Sequence, residues 1–237
     1  MQNSQENIDR RHVIWTLAGV QVSLLSEGAL WWPERRLLVF SDLHFEKGSS
    51  YAARGQMLPP YDTRATLDLV EALVARWRPD ICLSLGDSFH DKTSEMRLSR
   101  DDRDRIKALT SSTDWVWVEG NHDPDPPAEL GGRAAKTVRL GPLIFRHEPT
   151  GEAGEIAGHL HPVAKVKARS RSVRKKCFAC DDSRLIMPAL GALTGGLNVL
   201  DKAFSQLFPR GVTAHALGRE RLYTLAGKRL IGDVHRR

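Results

Sequence analysis

The spacing of apolar and polar positions divides the chain into two stretches of different character. "VQVSLL" (20–25), "ALWW" (29–32) and "RRLLVFS" (35–41) are short apolar runs with "SEG" as the first turn, which predicts three successive strands. The segment 46–60, "EKGSSYAARGQMLPP", predicts a loop that is long for a mere connection, and long ordered loops tend to carry function. Leu67, Val70, Leu73, Val74 and Trp77 recur at helical spacing, so a helix is expected over 63–77, capped by Asp62 and stopped before Pro79. "DICLSLGD" (80–87) predicts a second buried strand. Ser99 with Asp102 forms a capping-box pattern for the polar helix 100–109, and "WVWVEGNHD" (115–123) is a third strand ending in Gly and polar residues. Past a Pro- and Gly-rich loop at 123–132 the pattern turns to strands: "KTVRL", "PLIFRH", "EIAGH", "VAKVKARSRSVRK", "RLIMPA", "GVTAHALG" and "ERLYTLA". Strand, helix, strand, helix, strand, followed by strands alone, predicts an α/β domain with sheet packed on sheet and helices flanking.

Polar residues stand where the buried strands end. The run 37–40 is followed by Asp42 and His44, and burying such groups is costly without a partner. Gly86-Asp87, Gly120-Asn121-His122-Asp123, His147 and Gly158-His159-Leu160-His161 repeat the arrangement at later strand ends. In open α/β sheets, ligands bind outside the carboxyl ends of the strands. A strand period of two would place Asp42 and His44 on one side of the chain, and would make His159 and His161 a chelating pair. Taken singly, each block is ordinary: Gly-Asp ends many strands as a turn, and one histidine is more often a satisfied polar residue. Five blocks at successive strand ends point instead to a metal site. Imidazole, amide and carboxylate donors without thiolate suit Mn, Fe or Zn better than Mg, and Mn²⁺ is the expected ion.

In this order the blocks resemble the signature of the calcineurin-like metallophosphoesterases, over Val39 to His161. The resemblance implies a four-layer sandwich, two mixed β-sheets flanked by helices, and two divalent cations. It implies that Asp42, His44, Asp87 and His161 hold one ion and Asp87, Asn121, His147 and His159 the other, with Asp87 bridging. It further implies His122 as general acid, oriented by Asp123. Ser/Thr phosphatases of the superfamily carry Gly-Asp-x-x-Asp-Arg-Gly, whereas "GDSFHDK" puts His90 in place of the Asp and lacks the Arg. That text is similar to the break-repair nucleases, where a histidine at this position lies near the scissile phosphate; the alternative is that His90 only caps a loop. The longer text "SDLHFEKGSSYAARGQMLPPYDT", with "GDSFHD", "GHLHPV" and "MPALGALTGGLNV", resembles the bacterial ligase-associated DNA-damage-response metallophosphoesterases. This implies an endonuclease or phosphodiesterase of DNA repair, with an ATP-dependent DNA ligase and a helicase as partners. Two other readings stand beside it: a nucleotide or lipid-precursor phosphodiesterase or pyrophosphohydrolase, and a nucleic-acid-binding repair scaffold with little catalysis. A complete ligand set argues against the scaffold.

Charge adds a direction. The 237 residues carry 35 Lys and Arg against 29 Asp and Glu, a formal charge of +6 that suits a polyanionic partner without requiring one. Lys165, Lys167, Arg169 and Arg171 alternate, so a single strand would present all four on one face, starting four residues after His161. This is either a track for the phosphates of DNA or RNA or an edge strand blunted by lysine. Lys47, Arg54 and Gln56 either reach substrate from the loop after Phe45 or merely solvate it. Cys82, Cys177 and Cys180 are too few for a disulfide framework, so a reduced, cytoplasmic setting is expected. The lone Cys177-x-x-Cys180 is expected in a turn, and "GALTGGLN" as a tight turn rather than a phosphate loop. No apolar run approaches the roughly 20 residues of a membrane span. A polar tail over 1–12 and one domain within 1–237 are expected, while the oligomeric state stays open.

Overall fold

The computed structural model describes residues 11–56, 58, 61–125, 128–168 and 171–233, and all that follows concerns these. β1 (His12–Leu17), β2 (Val20–Leu25), β3 (Leu30–Trp32) and β4 (Leu37–Phe40) pair antiparallel in succession. β5 (Ile81–Leu85), β6 (Asp114–Val118) and β7 (Arg133–Ala135) extend the same sheet in parallel. Parallel neighbours require crossovers. α1 (Lys47–Ala53) and α2 (Asp62–Trp77) supply the first; α3 (Ser94–Arg97) and α4 (Arg100–Ser112) supply the second. The run 37–40 lacks polar alternation because both its faces are covered. Leu37 and Val39 enter the core between the sheets, while Leu38 and Phe40 lie under the helices with Leu67, Val70, Leu73 and Ile106.

The second sheet takes β8 (Val138–Leu140), β9 (Leu143–Arg146), β10 (Glu155–Ala157), β11 (Pro162–Ala168), β12 (Arg171–Cys180), β13 (Arg184–Ile186), β14 (Leu197–Asn198), β15 (Thr213–Leu217) and β16 (Leu222–Ala226). Its order is β14-β11-β12-β13-β10-β9-β8, with β15 against β12 and β16 against β15. β9, β10 and β13 run parallel, so this sheet too is mixed. Phe145, Ile156, Phe178 and Leu185 meet Val39, Leu83 and Val116 across the sandwich, each such burial contributing about 1.5–3 kcal/mol. On the far face α5 (Lys202–Leu207) seats Phe204 among Ala164, Cys177 and Ala214. The four expected layers are present, the outermost being one short helix.

Several local expectations change. The segment 46–60 is not all loop, since 47–53 is helical. Asp62 does not cap α2: Tyr61 stands at the cap, and the Asp62 carboxylate accepts the Gly48 N–H at 2.9 Å, tying α1 to α2. Ser99 does cap α4, accepting the Asp102 N–H at 3.1 Å. Cys177 and Cys180 belong to a strand rather than a turn; three residues apart, they fall on opposite faces and enter separate cores. The polar tail falls largely on residues 1–10, outside the described residues, and β1 begins at His12.

Candidate metal centre

The loops after β4, β5, β6, β9 and β10 converge and bring together every strand-end block singled out above. Two donor groups result, Asp42 with His44 and His161, and Asp87 with His147 and His159, the donor atoms of each lying within 4.8 Å of one another. In the first, His161 Nε2 is 3.0 Å from Asp42 Oδ1 and 3.3 Å from His44 Nε2. In the second, Asn121 Oδ1 is 3.0 Å from both His147 Nε2 and His159 Nδ1. Asp87 addresses both groups: Oδ2 lies 3.8 Å from His44 Nε2 and Oδ1 3.4 Å from His147 Nε2.

This donor set fits cations. The Leu85 carbonyl, 2.9 Å from His147 Nδ1, can only accept, so that nitrogen carries the proton and Nε2 offers a lone pair. That lone pair faces the Asn121 and Asp87 oxygens, which also only accept. Acceptors turned on acceptors in a buried site need a positive charge between them. With protons alone to supply it, burial opposes a charged His147, yet the Asp87 hydrogen bond and the Asp42 and Asp87 charges raise it to about 9. Burial dominates at His44 and pushes it down to about 3.

Backbone strain produces the convergence. Asp42 (φ +52°), His44 (+46°), Asp87 (+47°), His159 (+68°) and His161 (+44°) all occupy the left-handed region, at a cost of about 1–3 kcal/mol each. The strand pleat therefore does not align Asp42 with His44, because β4 has already ended at Phe40. His159 and His161 likewise follow the end of β10, and they join different groups rather than chelating as a pair. Backbone bonds hold the strain in place. The His44 and Phe45 N–H groups donate to Asp87 O (2.9 Å) and Ser88 O (2.8 Å), while Leu190 and Gly191 N–H donate to Ser41 O (2.8 Å) and Asp42 O (3.1 Å). The carboxylates are aimed by the His122 N–H on Asp87 Oδ1 (2.9 Å) and the His159 N–H on Asp42 Oδ2 (3.1 Å). Glycine is required at two approaches: a Cβ on Gly158 would stand 2.6 Å from Asp42 Oδ2, and one on Gly86 2.5 Å from the His147 ring.

His122 Nδ1 bonds the His90 carbonyl at 2.8 Å, its ring stacks on His90 at 5.3 Å, and Nε2 lies 3.9 Å from Asp87 Oδ2. Asp123 does not orient it. The Asp123 carboxylate turns away and accepts the Ser88 and Phe89 N–H groups at 2.8 and 3.1 Å, because a buried carboxylate takes the nearest free donors. Its role is to shape the turn carrying His90; burial above all raises this carboxyl to about 7. His90 itself faces His44, Nδ1 to Nδ1 at 3.5 Å, and burial first and Lys47 second push it down to about 4.

Sequence reasoning places Lys176 only in the basic run after Arg171 and misses its role here. Its ammonium donates to Ala189 O (2.9 Å), Gly191 O (2.8 Å) and Thr194 Oγ1 (2.6 Å), so it organises the loop whose N–H groups grip Ser41 and Asp42. The glycines of "GALTGGLN" were the available signal: a Cβ on Gly191 would meet the Asp42 carbonyl at 3.0 Å.

The basic ridge is not one strand. The chain reverses between β11 and β12, and Arg171 pairs with Ala168, so it shares that residue's face and not the face of Lys165 and Lys167. Arg169 lies outside the described residues. Lys165 and Lys167 share their face with Arg174 and Lys176 on β12, and Lys165 is already paired with Asp233 at 3.1 Å. Arg54 is exposed at the end of α1.

Residues 35–178 match the family model for the calcineurin-like phosphoesterases, more than half of the chain, and the chain belongs to that family. It is a metal-dependent phosphoesterase. Along 90% of its length it is similar to the whole of the Pseudomonas putida nuclease MPE, whose crystal structure superposes with a TM-score of 0.70 at 28% identity. Yfce, a phosphoesterase from E. coli, matches at a TM-score of 0.41 and 17% identity over 81% of this chain and 98% of that one, too little to carry an argument. No curated protein sequence matches. Among the described residues, no helix is long and apolar enough to cross a membrane.

Proposed function

We propose that this phosphoesterase cleaves phosphodiester bonds in nucleic acid, with DNA as the favoured substrate and two divalent cations, Mn²⁺ by preference, as cofactors. Asp42, His44, Asp87 and His161 hold one ion, and Asp87, Asn121, His147 and His159 the other. The observation that carries the chemistry is Asp87, whose two oxygens each face one donor group. Likeness to a nuclease over the full length of that protein favours nucleic acid over small esters. When bound, a cation pair activates water and offsets charge developing at phosphorus. The remaining steps belong to the chain. Asp87 sets the spacing of the two sites, and the strained loops fix the donors before substrate arrives. The His90 carbonyl occupies the Nδ1 proton of His122, so the proton given to the leaving oxygen sits on Nε2. Lys165, Lys167 and Arg54 contact phosphates on either side of the scissile bond. The likeness of "SDLHFEKGSSYAARGQMLPPYDT" and "GDSFHD" to the ligase-associated repair enzymes supports a cytoplasmic task in DNA repair beside a ligase and a helicase.

The test is cleavage of labelled single- and double-stranded DNA, RNA and a small aryl diester, with Mn²⁺ or with chelator. DNA cleavage in Mn²⁺, its loss in chelator, and a fall of about 100-fold or more in Asp87→Asn are expected. Hydrolysis of the aryl diester without any cut in nucleic acid would overturn the substrate, and unchanged activity of Asp87→Asn would overturn the mechanism.

A further inference from the structure

Lys165 of β11 stands directly across from Arg174 of β12, and both side chains leave the same face as Lys176. One carboxylate lies against the two cations: Asp233 Oδ1 is 3.1 Å from Lys165 Nζ, and Asp233 Oδ2 is 3.6 Å from Arg174 Nη2. The carboxylate arrives on the segment 230–233, which runs beside β11. The Ile231 N–H donates to Lys165 O at 2.9 Å, and the Asn198 side-chain amide donates to Ile231 O at 3.0 Å and also bonds the Asp233 carboxylate. The segment thus has two anchors, both at the Ile231 backbone, that do not need the Asp233 side chain. Two oxygens on one atom, each facing one cation, have the form of the non-bridging oxygens of a phosphodiester.

We propose that Lys165 and Arg174 form a seat for a backbone phosphate of the nucleic acid, which Asp233 occupies until the polymer displaces it. This rests on the nucleic-acid reading above and adds a regulating contact to it. The geometry suits exchange. The Asp233 side chain is 40% exposed, so an incoming phosphate reaches it from solvent, and exposed ion pairs of this kind are weak. Displacing the carboxylate gives up its bond to Asn198 but need not release the segment, which keeps the bonds of the Ile231 N–H and carbonyl. The face that carries the seat leads back toward the metal centre: Lys176, two residues beyond Arg174 on the same face of β12, holds the loop that grips Asp42, and Lys165 is four residues, at most about 13 Å of chain, beyond His161. A polymer lying on the reacting site therefore passes over this pair and then over Lys167, whereas a small diester reaches neither. Asp233 accordingly selects against weakly held polyanions without touching the chemistry.

The experiment uses the full chain and a labelled single-stranded DNA oligonucleotide, with chelator present so that nothing is cut, across a salt series. Asp233→Asn is expected to bind about three- to five-fold tighter than the parent. The slope of log affinity against log salt should steepen by about 0.7, the signature of one more phosphate contact on a single strand. Asp182→Asn serves as the control, since it removes the same charge from an exposed pair with Arg210. It should leave affinity and slope unchanged, and Lys165→Gln placed on Asp233→Asn should abolish the gain. Hydrolysis of the small aryl diester should be equal in parent and Asp233→Asn. Equal affinity of Asp233→Asn and parent, or an equal gain in Asp182→Asn, would overturn the seat and make Asp233 a latch for its own segment. Binding by none of the variants, with diester hydrolysis intact, would overturn the nucleic-acid reading itself and this inference with it.

Discussion

His122 can serve as an acid through one atom only. Its Nδ1–H is committed to the His90 carbonyl at 2.8 Å, and its ring is braced on His90, so Nε2 alone is presented beside Asp87. The side chain is 40% exposed, open enough for a leaving group to approach. A proton donor matters in proportion to how poor the leaving group is. His122→Ala is therefore expected to slow an alkyl or nucleoside diester by about 10²–10³-fold and an activated aryl diester far less, measured as kcat/KM on matched substrates. Equal losses on both would remove His122 from the acid role. At this scale the residue types were legible in the sequence because five blocks of carboxylate, amide and imidazole recur at successive strand ends, although each block alone is ordinary. Their partners were not. Asp123 beside His122 looked like its orienter, yet its carboxylate found nearer donors on Ser88 and Phe89.

Among the elements, the loop 188–196 decides how firmly Asp42 is held. It has no regular structure, and its grip on Ser41 and Asp42 passes through two N–H groups. Lys176 gives the loop its shape by filling three acceptors from below, and burial pushes this ammonium down to about 8. Without it those acceptors lose a charged donor, and the loop no longer presents Leu190 and Gly191 in register. Lys176→Met should weaken Mn²⁺ binding by about tenfold in titration calorimetry, the scale on which supports of metal ligands act, while the far-ultraviolet spectrum stays native. Wild-type Mn²⁺ affinity in Lys176→Met would show that the loop needs no such prop. The element level is also where periodicity misled. Lys165 to Arg171 alternate in the text, but the chain turns between them, and a reversal flips every later side chain to a new pairing.

For the molecule as a whole, pH acts on the fold through a histidine remote from the donor groups. His215 on β15 lies under Trp15, with ring centroids 4.9 Å apart; its Nδ1 meets Thr224 Oγ1 at 3.0 Å, and its Nε2 has no hydrogen-bond partner. Burial pushes it down to about 4. An unfolded chain takes up this proton near pH 6.5, whereas the folded chain refuses it until about pH 4. Stability is thus whole above about pH 6.5 and declines as pH falls toward 4, by up to about 3 kcal/mol from this residue. Denaturant unfolding in chelator at several pH values should show a shallower decline for His215→Leu than for the parent over that window. Parallel curves would exclude His215 as the source.

The sequence by itself determined the central strands, the two long helices, the layered class and the residue types of the donors, but not β1, α1 or α5. Strand and helix periods are local, and five sets of polar donors at successive buried-strand ends are together too costly to bury without a shared partner. Only the tertiary structure decided how those donors divide. Asp42 and His44, and again His159 and His161, are set by left-handed backbone that no local preference favours and that neighbouring loops impose. The same holds for Lys176 and for the meeting of Lys165, Arg174 and Asp233, since contacts between residues far apart in sequence exist only once the sheets have packed.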